Sequence, residues 1–235
     1  MVRVMLDSGH DINTPGKRAL DGSMKEFEFN RAVTEKVYWL LEEYEGVELF
    51  LSHDLYDGID DSLKTRTDKA NKLNADCFIS IHANAGATSA RGIETFVYPK
   101  AGQETVKLAS LIHEHVLWLT KQKNRGIKTA DFAVLRDTNM KSALLELGFF
   151  TNTEDLKLLK SDSYRALCAE GIASGLIEYY GLKKKAVPVL QPQPTLVQTN
   201  GTYKVQVGAF SVKDNADRLA AELKGKGYSV IVVNE

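Results

Sequence analysis

Short apolar runs alternate along the chain with stretches in which apolar residues return every three or four positions. Val2-Arg-Val-Met-Leu6, Val47-Glu-Leu-Phe-Leu51, Cys77-Phe-Ile-Ser-Ile81, Ile93-Glu-Thr-Phe-Val97 and Ala143-Leu-Leu-Glu-Leu147 are brief and rich in apolar and β-branched residues, which predicts strands. Helical spacing links Ala32, Val33, Val37, Leu40, Leu41 and Tyr44, runs from Val106 to Trp118, and returns from Tyr164 to Tyr180. In that last segment Ala166, Ala169, Ile172, Ala173, Leu176 and Ile177 are expected to share a buried face. Strands alternating with helices predict an α/β fold, a twisted and mostly parallel sheet of about five or six strands covered by helices.

The pattern breaks near the C-terminus. Pro188, Pro192 and Pro194 fall close together, and no charged residue occurs from Ala186 to Thr202, so this stretch reads as an extended linker. The predicted organisation is a body over 1–183, a linker over 184–202 and a small βαβ unit over 203–235. In the last, Tyr203 to Ser211 and Tyr228 to Val233 are the expected strands, and Ala216, Leu219, Ala220 and Leu223 line one face of the helix between them.

Composition narrows the function. The 235 residues carry 30 Lys and Arg against 31 Asp and Glu, a formal charge of -1, without the basic excess that marks a nucleic-acid or anionic-lipid binder. Cys77 and Cys168 lie in apolar runs and are expected to be buried and unpaired. No apolar stretch approaches the roughly 18 residues of a membrane span. The opening residues lack a signal peptide's apolar segment, so the expectation is cytoplasmic synthesis and release by another route.

Two predicted strands end in histidines: the first runs into Asp7-Ser8-Gly9-His10 and the third into His82-Ala83-Asn84. Ligand sites in α/β sheets form beyond the carboxyl ends of strands, so the two side chains can converge there, or each can simply bond a loop carbonyl. Glu146 sits inside the apolar run Ala143 to Phe150. A carboxylate in such a place needs a catalytic or metal-linked task, or an arginine such as Arg125 or Arg136 to neutralise it.

These residues, with Lys25-Glu26-Phe-Glu-Phe-Asn30, Arg66-Thr-Asp-Lys-Ala-Asn71, Ala75-Asp76, Gly92-Ile-Glu94, Asn124-Arg-Gly126, Leu145-Glu146-Leu-Gly-Phe149 and Thr151-Asn152, occur in an order that resembles the zinc-dependent N-acetylmuramoyl-L-alanine amidases of the Amidase_3 type. The resemblance covers nearly all of residues 1–181. It implies a zinc ion held by His10, Glu26 and His82, and Glu146 as the catalytic glutamate. It also implies a substrate, the amide between N-acetylmuramic acid and L-alanine in bacterial peptidoglycan, with Asn84 and Arg125 as candidate groove residues and cell-wall lysis of the endolysin or autolysin kind as the outcome.

Glu26 is preferred to Glu28 because the family's glutamate is followed four positions later by a residue such as Asn30, and Glu28 points about 200° away on the same helix. Ser8 and Asp11 stand where the family has Pro and Gly. His53 reads as a loop residue, and His113 and His115, two apart on one helix, diverge by about 200° and form no metal pair. Two imidazoles and one carboxylate suit a catalytic zinc site that leaves a position for water. The C-terminal unit resembles half of a SPOR wall-binding repeat, which implies either a homodimer completed by two tails or a tail docked on the body. The rival readings are a catalytically silent wall-binding protein and a zinc peptidase cutting within the stem peptide.

Overall fold

The computed structural model describes residues 1–57, 59, 61–186, 208 and 213–233, and the chain divides into two compact units, Met1–Ala186 and Val187–Glu235. In the first unit the order is β1 (Val2–Ser8), α1 (Glu26–Glu42), β2 (Tyr44–Glu45), β3 (Val47–Leu51), α2 (Leu63–Lys72), β4 (Cys77–Asn84) and β5 (Ile93–Val97). It continues with α3 (Gln103–Thr120), β6 (Asn124–Thr129), α4 (Ala133–Arg136), β7 (Lys141–Phe149), α5 (Thr153–Leu159), α6 (Asp162–Tyr180) and β8 (Lys183–Lys184). All five predicted strands are present, and the six-stranded sheet adds β6 in the order β3-β1-β4-β7-β5-β6. Every neighbouring pair is parallel except β5 and β7, which run antiparallel.

Alternate residues of the central strands serve opposite faces. Val4, Leu6, Ile79 and Ile81 join the larger core with α1, α3 and α6, whereas Met5, Phe78 and Leu144 pack with Ala70 of α2 and Val134 and Leu135 of α4. Coverage on both sides explains why these strands read as unbroken apolar runs.

On α6 the buried stripe is Cys168, Ala169, Ile172, Ala173 and Leu176. Ala166 departs from the expectation and is exposed, at the edge of that stripe in the first turns of the helix. Gly171 and Gly175 let α6 approach α3 closely: a Cβ on Gly175 would stand 2.5 Å from the Ile112 Cα. Both cysteines are buried and free.

In the second unit the described helix is α7 (Lys213–Gly225), and the predicted positions Ala216, Leu219, Ala220 and Leu223 are, with Asn215, its more covered ones. The expected strand from Tyr203 to Ser211 lies outside the described residues apart from Gly208, and Tyr228 to Val233 forms no ladder among them. No helix of the described residues is long and apolar enough to cross a membrane.

Candidate active site

The backbone turns sharply as it leaves β1. His10 takes a positive φ of 62°, and Gly9 before it lies against the His82 ring, where a Cβ would stand 2.1 Å from Cε1. Only a glycine lets these two strand ends come so close. Beneath the turn Arg66 of α2 is fully buried and donates to the Asp7 carboxylate at 3.1 Å, the Ser8 carbonyl at 2.7 Å and the His10 carbonyl at 3.4 Å. The Asp7 carboxylate also accepts from Ser52 Oγ at 2.6 Å and Ser80 Oγ at 2.5 Å. Burial pushes the Asp7 carboxyl upward, but Arg66 and the two hydroxyls outweigh it and hold the group below the usual carboxylate range.

Glu26 begins α1, where a carboxylate meets the positive end of the helix dipole. It is buried and faces both histidines, with Oε1 at 3.0 Å from His82 Nδ1 and Oε2 at 3.4 Å from His10 Nε2. Asn30, one turn on, donates to the Gly9 carbonyl at 2.8 Å and leans on Glu26 at 3.4 Å. Glu28 turns outward and accepts from the Lys25 backbone at 2.7 Å.

One ligand atom from each of His10, Glu26 and His82 lies within 4.8 Å of the others, and among the described residues this is the group able to hold a metal ion. Two imidazoles and a carboxylate match the donor preference of zinc. The second nitrogen of His82, Nε2, lies 3.1 Å from Ser80 Oγ, which in turn bonds Asp7, so the ring is oriented from behind as metal-binding histidines commonly are. Burial draws His10 down to about 4 against the opposing pull of Glu26, with His82 adding to the fall. Burial also works against a charged His82, but the hydrogen bond and charge of Glu26 outweigh it and raise its pKa.

Glu146 lies on β7 directly opposite His82 on β4 in the parallel ladder. No arginine neutralises it: Arg125 bonds Glu94 at 2.7 Å, and Arg136 pairs with Asp131 at 3.0 Å and Asp137 at 2.8 Å. Its Oε2 is sealed from solvent without a hydrogen-bond partner among the described residues. Burial first, and then the Glu26 and Glu94 carboxylates, push the Glu146 carboxyl up to about 8, with His82 opposing. All four residues line one cavity of about 350 Å³, walled also by Asn84 and Phe132.

Asn84 faces this cavity while its amide donates to Glu94 at 2.8 Å. Arg125 is not among the lining residues and stacks over the Phe149 ring at 4.7 Å. His53 is buried against Ser52, His113 bonds Thr95 and Asn124, and His115 pairs with Glu178, so none of the three joins the cluster. Sequence reasoning missed the roles of Arg66, Gly9 and Glu94. Each was visible inside a quoted motif, but its task depends on partners far away in the chain.

A family model described as N-acetylmuramoyl-L-alanine amidase (Amidase_3) matches residues 4–178, and one described as SPOR domain matches residues 199–235. The chain belongs to this amidase family and is an enzyme of that class. It is 37% identical over 233 residues to a sporulation-specific N-acetylmuramoyl-L-alanine amidase of Bacillus subtilis, covering 99% of this chain and 85% of the relative. It is 34% identical over 225 residues to an endolysin of Bacillus phage SPP1, covering 91% and 77%. Among solved structures, an N-acetylmuramoyl-L-alanine amidase from Clostridium difficile 630 superposes with a TM-score of 0.73 at 31% identity, over 77% of this chain and 97% of the other. The catalytic domain of CwlV, an amidase from Bacillus (Paenibacillus) polymyxa, superposes with a TM-score of 0.72 at 30% identity, over 78% and 100%.

Proposed function

We propose that the cleft hydrolyses the amide joining the lactyl carboxyl of N-acetylmuramic acid to L-alanine in peptidoglycan, with zinc held by His10, Glu26 and His82, and that repeated cleavage lyses the wall. The observation that carries this reading is the His10, Glu26 and His82 cluster, set one ladder step from the unneutralised carboxyl of Glu146. Bound zinc supplies Lewis acidity toward the scissile carbonyl and makes water a nucleophile near neutral pH.

The protein's own groups do the rest. Glu146, raised to about 8, changes protonation state near neutral pH; it takes the proton of the attacking water and returns it to the departing alanine nitrogen. Water adds to the carbonyl carbon, the C–N bond breaks, and the products are a muramyl carboxylate and a free peptide amine. Asn84 faces the substrate, while Arg125 acts indirectly by holding Glu94. The SPOR-matching tail adds affinity for the wall.

Digestion of purified walls, with and without a chelator, tests the reading through the ends released. The expected result is new L-alanine N-termini, lost on chelation and restored by zinc. New ends within the stem peptide would make the protein a peptidase, and no release under any condition would favour a silent wall-binding protein.

A further inference from the structure

Three cations stand on the connection from β1 to α1, outside the His10, Glu26 and His82 cluster. Lys17, Arg18 and Lys25, with Ile12, Thr14 and Pro15, line a second hollow of about 260 Å³ in which no lining residue is acidic. Lys17 also lines the catalytic cavity, and its carbonyl accepts from the Glu26 backbone at 2.9 Å, so one residue borders both hollows.

The loop is pinned. Asp11 donates its amide to Thr14 Oγ1 at 2.8 Å, Ala19 donates to the Met24 carbonyl at 2.8 Å, and both apolar side chains are buried. Arg18 and Lys25 face each other across an antiparallel backbone bridge, and like charges opposite one another in such a pair cost stability. Lys25 Nζ donates to the Ile12 carbonyl at 2.9 Å, and Lys17 stands within electrostatic reach of the Glu26 and Glu146 carboxylates. A pinned loop that gathers repelling cations beside a cleft is arranged for an anion that arrives with the ligand.

We infer that this hollow is an anion subsite of the cleft, which takes a carboxylate of the peptide stem one or two residues beyond the scissile amide. The inference rests on the amidase reading. N-acetylated sugars carry no charge, so the anion comes from the peptide side of the bond or from phosphate polymers attached to the wall. Two extended residues span about 7 Å, enough to reach from the cleaved amide into an adjoining hollow. The pinned loop, and Lys17 bordering both hollows, favour the stem.

Two soluble N-acetylmuramoyl peptides test it, one with a free carboxylate on the second stem residue and one with that group converted to carboxamide. The zinc-loaded parent is expected to favour the acid by about five- to tenfold in kcat/KM. Arg18→Gln, which leaves every residue of the catalytic cavity in place, should bring that preference below about twofold, keep the zinc content, and leave the carboxamide rate within about twofold. A preference that persists in this variant, or an equal slowing on both substrates, overturns the subsite. Loss confined to walls that keep their phosphate polymers overturns it in favour of phosphate. Should the parent cleave neither peptide, the amidase reading fails separately, and calorimetric Kd values for the same two peptides still decide the subsite by the same comparison.

Discussion

Glu146 carries a cost that the rest of the molecule absorbs. Its folded pKa of about 8 lies well above the roughly 4.3 of a free glutamate, so the folded protein prefers the neutral acid. The associated stability is fully present below about pH 4.3 and is lost as pH rises through about 8. Metal-free Glu146→Gln is therefore expected to be more stable than the metal-free parent near pH 8, by about 1–3 kcal/mol, with the gap closing toward pH 4. With zinc restored, the variant should keep its metal and lose at least about a hundredfold in rate. Denaturant midpoints at both pH values and a zinc assay check this; a variant as active as the parent would return Glu146 to a structural role.

Among the elements, the tightest constraint is the contact of α6 with α3. Gly175→Ala raises helix propensity by about 1 kcal/mol, yet its Cβ would lie 2.5 Å from the Ile112 Cα, a backbone atom that cannot swing away. A net loss of about 1–3 kcal/mol is expected, with kcat unchanged where the variant is folded. An unchanged denaturation midpoint would mean that the two helices separate freely.

The strands that meet helices on both faces were legible because their apolar runs are unbroken, and His10 and His82 were legible because they terminate such runs. β6 was not: Asn124 to Thr129 contains one large apolar residue and lies at the sheet edge, where little packing is demanded of it. α2 is nearly all polar. It starts at a Ser62 cap and buries Arg66 against Asp7, Ser8 and His10, an arrangement that local spacing cannot announce because its partners lie about 56–59 positions away. Glu94 depends on the reversed direction of β5, which sets it opposite Glu146.

For the molecule as a whole, the division into two units predicts separable activities. A chain ending at Lys185 is expected to cleave soluble muramyl peptides at the parent rate and to sediment less with purified walls. Equal sedimentation would remove the tail's targeting role, and dimerisation of the full chain alone would support the pairing of tails.

The small β2–β8 pair has a wider consequence. Lys183 and Lys184 pair with Tyr44 and Glu45, next to the start of β3, where Val2 also bonds Gly46. The catalytic unit thus takes in and gives out its chain at one pole of the sheet, while His10 and His82 open at the other. The chain beyond Lys185 therefore leaves from the face away from the cleft, so exchanging that segment for an unrelated one is expected to leave kcat on a soluble muramyl peptide unchanged.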